Sequence, residues 1–565
     1  MTAQCSTDPA GSLRRRTQRR EVLRRKVMER GGWAERRASE AFRGARRGWS
    51  AVGRAADSAC LGRKRIGALA LAVACAAAGC AGGEPALMEP VASAREAHDL
   101  VIAGGRVIDP ESGLDAVRHV GIQDGTVVAI SEDPLEGSAT VDAAGLAVAP
   151  GFVDLHAHGQ DPASSRYQAM DGVTTALELE IGAFPVERWY ARRGGASLIN
   201  YGASVSHQAA RIRALGSAFA RSNANGTFSL GESDDDTLYR AASDEELARL
   251  RQLMERGLRE GGIGLGFGLS YTPGASHREL LQMFQVAAEY EAPAFIHLRS
   301  AAAFERGGAL APFQEVIANA AVTGAPLHIV HMNSTSGTRA DEALAMIRGA
   351  RERGIDVTTE AYPYTASASL IESPLFDGWD GRPRDAYRSL QWVDTGERLT
   401  PETFALYRRQ GGWVIMHGRS EEINEWIVGQ PDVIAASDGI PFSQGRAHPR
   451  GAGTFARILG HYARDRGALS LMDALRKMTL LPARRLESIV PEMTRKGRVQ
   501  VGSDADLTIF DPQRIIDRAT YDAPDQYSAG IEHVLVGGTF VVRDGALVEG
   551  VQPGRPLRGR HLEQE

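Results

Sequence analysis

Cysteine and lysine are nearly missing from most of this chain. The 565 residues contain four cysteines, Cys5, Cys60, Cys75 and Cys80, and none beyond residue 80. The long remainder therefore has neither a disulfide framework nor a thiolate site. Lysine occurs only as Lys26, Lys64, Lys477 and Lys496, so a lysine-based catalytic or bridging group has few places to be. A basic surface is missing as well. Residues 1–65 hold 18 Lys and Arg against 6 Asp and Glu, which leaves 47 basic and 64 acidic residues in the rest. Such an acidic body excludes nucleic acid as a partner, because phosphate binding needs a basic face. What is present, 43% hydrophobic and 24% charged residues, fits a soluble globular body.

The apolar run from Ile66 to Ala78 follows Arg63-Lys64-Arg65 and leads into Ala77-Ala78-Gly79-Cys80. Charge, a short apolar segment and small residues in that order read as a secretory signal. The run is well short of the roughly 20 residues that a membrane span needs. A Cys directly after the small residues resembles a bacterial lipobox, with Ala77 where a Leu is usual, so Cys80 is expected to be the lipidated first residue of an extracytoplasmic, membrane-anchored lipoprotein. Residues 1–62 are Arg-rich without apolar periodicity and are expected to be disordered or to reflect a mis-assigned start. The division expected along the chain is 63–80 signal peptide, 81–97 linker, 98–150 and 491–550 two parts of a β-domain, 151–490 a barrel and 551–565 a tail.

Short strand patterns mark both ends of the body. Asp99–Ala103, Val120–Asp124 and Thr126–Ile130 lie on one side, and Ala505–Phe510 and Ile531–Val536 on the other. Gly104-Gly105, Asp124-Gly125, Gly537-Gly538 and Asp544-Gly545 read as turns between strands. These ends predict one small β-sandwich domain built from both. The middle alternates strand and helix. Eight apolar runs end in polar residues, at Leu155–His158, Ala176–Glu180, Ser204–His207, Leu265–Ser270, Ala294–Arg299, Leu327–Asn333, Val357–Tyr362 and Val433–Asp438. Helical spacing separates several of them, as in Asp244–Arg259 and His277–Glu291. This is the α/β pattern of a (β/α)8 TIM barrel, whose active site lies at the C-terminal ends of its strands.

His156 and His158 share one face of the first strand, because residues two apart do so. His297 and His331 end the fifth and sixth strands. His328, three residues before His331, falls on the opposite side and reads as structural. Asp438 closes the eighth strand, where a carboxylate can bind a metal-held water and take its proton. Four His and one Asp can hold two divalent ions about 3.5–4 Å apart, and ions that close require an anion between them. A carboxylated Lys, a Cys thiolate or a Glu can serve. The body has no Cys, and neither of its lysines ends an early strand. That leaves Glu178 and Glu180 on the second strand; Glu180, nearer its C-terminal end, is the expected bridge, with Glu178 behind it. The ion expected is Zn2+, one or two, with Mn2+ or Co2+ as alternatives.

Over roughly residues 98–550 the chain resembles the amidohydrolase superfamily, and within it the N-acyl-D-amino-acid deacylase (D-aminoacylase) group. The resemblance is carried by Asp99–Pro110, Pro150–His158, Gly172–Thr175, Gly268–Gly274, Tyr362–Thr365, His448–Gly451, Met478–Ala483 and Gly502–Leu507. It departs at two points. The deacylases place a metal-bridging Cys at the end of the second strand, where Glu180-Ile181 stands here. They carry a substrate-binding Lys two residues after the sixth-strand His, where Asn333 stands here.

The resemblance implies hydrolysis of a linear amide of a small molecule. Metal polarises the carbonyl and activates water, and Asp438 shuttles the proton to the leaving nitrogen. Arg211, Arg299, Tyr271, Tyr362 and Arg450 are candidates for positioning an anionic substrate, since guanidinium forks suit carboxylates. Alternatives on the same scaffold are a dipeptidase or a cyclic amidase, the latter usually reliant on the carboxylated Lys that this chain lacks. A non-catalytic binding lipoprotein fits less well, because every ligand residue is present. The sequence admits a homo-oligomer, and membrane contact only through the lipid. Cys80→Ala is expected to abolish lipid labelling and to shift the protein from the membrane to the soluble fraction. Unchanged labelling and fractionation would exclude lipidation at Cys80.

Overall fold

In a computed structural model the structure describes residues 97–216, 236–299 and 309–563. The signal and lipidation expectations for residues 1–96 lie outside these. No helix among the described residues is long and apolar enough to cross a membrane.

The two ends of the body meet in one nine-stranded sheet. Its N-terminal strands are His98–Asp109, Leu114–Gln123, Thr126–Ser131, Gly137–Asp142 and Ala147–Pro150, and its C-terminal strands are Leu507–Phe510, Ile531–Val536, Thr539–Arg543 and Ala546–Leu547. The halves join where Leu507–Phe510 runs antiparallel to Ala147–Pro150, with Leu507 opposite Pro150 and Phe510 opposite Ala147. Val127 from one half and Leu535 from the other are buried in the same cluster as Ile102, Val107 and Ile509, so the sheet folds over a shared core. Asp124-Gly125, Gly537-Gly538 and Asp544-Gly545 each turn the chain with positive φ. Gly104-Gly105 does not form the expected turn. His98–Asp109 is continuous through it, with a register shift between Ile102 and Gly105. Glycine supplies the positive φ that a turn or a bulge needs equally well, and a Cβ on Gly105 would lie 2.5 Å from Val148.

Eight parallel strands form the barrel, paired in chain order: Phe152–Asp154, Val173–Ala183, Asn200–Ser206, Leu265–Gly268, Ala294–His297, Leu327–Ile329, Val357–Ala361 and Ile434–Ala435. Each expected segment lies at or just beyond one of them. The ring closes between first and eighth strands. Asp438 N–H donates to His156 C=O at 2.8 Å, and His158 N–H to Gly439 C=O at 2.8 Å. Asp154 reinforces this seam, its Oδ1 accepting the backbone N–H of His156 at 3.1 Å and of Ser437 at 3.0 Å. The helix Asp244–Arg259 starts in a capping box between Ser243 and Glu246 and buries Leu247, Leu250, Met254 and Leu258 on one face, the i, i+3, i+7 spacing of an amphipathic helix. The second expected helix spans His277–Glu289.

An insertion between the seventh and eighth strands escaped sequence reading. Ser367–Leu370, Leu390–Trp392 and Trp413–Met416 form a three-stranded antiparallel sheet around its own core of Phe376, Trp379, Tyr387, Trp392 and Phe404. Its short strands carry no alternating pattern that sets them apart from a barrel loop.

Arg211 does not face a substrate. Fully buried, it donates from Nε to Glu279 Oε1 at 2.8 Å, from Nη2 to Arg240 C=O at 2.6 Å and from Nη1 to Thr237 C=O. His207 Nε2 lies 2.9 Å from the same Glu279 oxygen. Removing one partner of a buried ion pair leaves an uncompensated charge and costs about 3–5 kcal/mol. Arg211→Leu is expected to lower stability by that order in a denaturant melt, and Arg211→Leu/Glu279→Leu to recover part of the loss. Equal stabilities of the single variant and the wild type would contradict this.

Candidate metal centre and active site

Four of the six expected ligand residues follow the strand ends closely, His297 is the last residue of the fifth strand, and Glu180 lies within the long second strand. The backbone bends sharply at two of them. His331 has φ +30° and Asp438 φ +53°, a left-handed conformation that costs side-chain-bearing residues energy and clusters at functional sites. In both cases the chain turns just beyond a barrel strand and the side chain joins the cluster.

The side chains form two groups that share one residue. His156, His158, Glu180 and Asp438 offer converging ligand atoms, as do Glu180, His297 and His331. Glu180 spans both. Its Oε2 is 3.2 Å from His156 Nε2 and 3.1 Å from His158 Nε2, while its Oε1 is 2.6 Å from His297 Nδ1 and 2.9 Å from His331 Nε2. Asp438 Oδ1 faces the first pair, 3.3 Å from His156 Nε2 and 3.4 Å from His158 Nε2. Glu178 stands behind the cluster, 2.9 Å from His158 Nδ1, the nitrogen that points away.

Three of the four imidazoles have that second nitrogen held. Glu178 holds His158, Ser334 Oγ holds His331 Nδ1 at 2.8 Å, and Glu360 Oε1 holds His156 Nδ1 at 2.6 Å. Such contacts fix the ring orientation and the nitrogen left for a ligand. Glu360 and Ser334 were not singled out from sequence. Glu360 was visible as the one acid inside the apolar run Val357–Tyr362. Its other oxygen accepts from His328 Nε2 at 2.9 Å, and His328 Nδ1 meets Thr358, so His328 is held within the strands.

The electrostatics suit a cation. Burial alone would lower the His156 ring, yet Asp438, Glu180 and Glu360 together hold it well above the usual imidazole range. Burial would likewise raise Glu180 and Asp438, and the surrounding imidazoles, with Arg450 beside Asp438, hold both well below the usual carboxylate range. Buried carboxylates and imidazoles so close together form a donor set that can hold a divalent ion, for which nitrogen and oxygen donors are appropriate.

The cluster borders a cavity of about 1080 Å3, walled on one side by the insertion. Tyr271 and Arg299 lie on the cavity wall. Tyr271 packs against His297 with ring centroids 4.9 Å apart, and Arg299 is tied to Glu315 and to Ala275 C=O. Tyr362 and Arg450 are off the wall and fully buried. Arg450 lies under the Tyr362 ring and 2.8 Å from Asp438 Oδ2, so it aims the carboxylate rather than touching substrate. Asn333 is buried too, donating to Tyr362 C=O and Asn424 Oδ1.

The sequence pattern of the amidohydrolase family matches residues 139–542. The chain belongs to this family. It is similar to the D-aminoacylase of Alcaligenes xylosoxydans xylosoxydans, 30% identical over 483 residues that cover 81% of this chain and 97% of that protein. An N-acyl-D-glutamate deacylase of the same organism is 30% identical over 507 residues, 82% and 97% of the two chains. Among solved structures, the N-acyl-D-glutamate deacylase of Bordetella bronchiseptica, complexed with zinc and a phosphonate mimic of the tetrahedral intermediate, superposes with a TM-score of 0.68. It is 27% identical, and the match covers 82% of this chain and all of that one.

If this amidohydrolase holds metal as the geometry indicates, Glu180→Ala is expected to retain less divalent ion after purification than Glu178→Ala, because Glu180 alone reaches both groups. The reverse order in a metal count would make Glu178 the shared ligand.

Proposed function

We propose that the chain is a metal-dependent deacylase of N-acyl-D-amino acids, hydrolysing a linear amide C–N bond. The observation that carries this reading is the placement of Glu180, one oxygen toward each ligand group, beside a large cavity and opposite Asp438. Relatives that share this architecture over nearly their whole length are deacylases of N-acyl-D-amino acids. One ion would be held by His156, His158, Glu180 and Asp438, and a second by Glu180, His297 and His331. Zinc suits this set, and the carboxylate in place of a thiolate also favours the harder Mn2+ or Co2+. When bound, a divalent ion polarises the scissile carbonyl and lowers the pKa of water.

The chain's own residues supply the rest. Asp438 is ionised at neutral pH, with Oδ2 occupied by Arg450 and Oδ1 directed at the ligand cluster, so Oδ1 can accept the proton of the attacking water and deliver it to the leaving nitrogen. On the wall, Tyr271 Oη accepts from Ser369 Oγ at 3.3 Å, which leaves its own proton for a ligand. Burial raises its phenol above the ordinary value, with Glu180 adding to the effect, so it stays protonated and can hydrogen-bond a substrate oxygen. The charge order around residues 63–80 supports export and anchoring through Cys80, which would place this activity outside the cytoplasm.

Asp438→Asn is expected to keep most of its metal and to lower kcat by at least a hundredfold, the scale of a lost general base. Metal analysis and steady-state rates on N-acetyl-D-amino acids test this together. A fully metallated Asp438→Asn enzyme with near-normal kcat would remove Asp438 as the base.

A further inference from the structure

His328 takes no place among the ligand atoms, yet both of its ring nitrogens are engaged. It stands opposite Thr358 where the sixth and seventh barrel strands pair, and its Nδ1 lies 2.7 Å from Thr358 Oγ1. Its Nε2 donates to Glu360 Oε2 at 2.9 Å, and Glu360 Oε1 accepts from His156 Nδ1 at 2.6 Å. His328, Glu360 and His156 are all buried. The relay runs from a ring fixed across two strands, through a carboxylate, to an imidazole of the ligand cluster. With its proton held on Nδ1, His156 presents Nε2 to an ion.

The two ligand groups are supported unequally. In the group of His156, His158, Glu180 and Asp438, each imidazole has a carboxylate behind it, Glu360 behind His156 and Glu178 behind His158. In the group of Glu180, His297 and His331, the outer contact is a neutral hydroxyl, Ser334 Oγ behind His331. His297 turns Nδ1 to Glu180 and pairs with no other carboxylate among the described residues. A carboxylate behind an imidazole raises its basicity, and losing such a partner costs roughly 10- to 100-fold in metal affinity. The first group also offers four donors, two of them carboxylates, against three donors with one carboxylate. Arg450 offsets the charge of Asp438, and Glu178 and Glu360 remain as negative charges behind the rings of this group. Such charges attract a dication strongly at short range in a poorly solvated interior.

Resting on the metal-dependent reading, we propose that Glu360, aligned by His328, is a positioning residue that makes His156, His158, Glu180 and Asp438 the tight ion site. Glu180, His297 and His331 then form the weak, exchangeable one.

The test is a zinc titration of the metal-free protein in competition with a chromophoric chelator, which counts equivalents and reads the Kd of each. The wild type is expected to take up two, with Kd values at least about tenfold apart. His331→Ala removes a ligand of the second group only and is expected to keep the tight equivalent. In that background Glu360→Gln is expected to raise the remaining Kd roughly 10- to 100-fold. In a His158→Ala background, which cripples the first group instead, Glu360→Gln is expected to leave the Kd of the second group within about threefold, whereas a general loosening of the barrel would weaken both. His328→Leu keeps the carboxylate and removes its anchor; it is expected to raise the first Kd as well and serves in place of Glu360→Gln if that variant does not fold. Loss of the tight equivalent in His331→Ala overturns the proposal. So does a Glu360→Gln effect that is absent from the first group or equal in both. A wild type that takes up no zinc in either group overturns the metal-dependent reading and the proposal with it.

Discussion

The seam between the first and eighth barrel strands is the constraint on which the site depends. Three backbone hydrogen bonds, from Asp438, His158 and Gly159 N–H, and the Asp154 carboxylate close the barrel there. The same few residues carry His156, His158 and Asp438, so closing the barrel and assembling half the cluster are one event. Asp154 is buried, and one of its oxygens has no partner among the described residues. Burial pushes its carboxyl up to about 6, against the pull of the N–H groups from Ser437 and His156. Residues almost three hundred positions apart are held within ångströms by a group that itself touches no substrate.

A second constraint is charge. Glu178, Glu180, Glu360 and Asp438 are all buried around four imidazoles, and like charges so close repel strongly in a poorly solvated interior. The arrangement divides the burden. Glu178 and Glu360 sit behind the rings, Glu180 lies between them, and Arg450 neutralises the outer oxygen of Asp438. Glu180 divides its two oxygens between separate groups, Oε2 toward His156 and His158 and Oε1 toward His297 and His331.

How much of this was legible in the sequence depended on range. The eight strand endings and their His, Glu and Asp residues could be read because barrel strands end in polar residues at regular intervals. The absence of Cys and of suitably placed Lys pointed to Glu180 as the expected bridge, and its side chain lies in both ligand groups. Arg211, Tyr362 and Arg450 could not be placed correctly, because a sequence shows that an arginine lies near a strand end and not which carboxylate already holds it. The bulge at Gly104-Gly105 looked like a turn because both need the same glycine geometry. The insertion after the seventh strand has a core of aromatic residues scattered over some thirty positions, and no periodicity reveals it.

The pairing of Ala147–Pro150 with Leu507–Phe510 sets an order on the making of the molecule. The N-terminal strands are synthesised early, yet their central neighbour arrives about 350 residues later. Until then the strand Ala147–Pro150 presents an unpaired edge, the feature by which partly made chains associate wrongly. Contacts this distant along the chain also form slowly. The edge of Ala147–Pro150 must therefore be kept from other chains until the last strands of the same chain have been made.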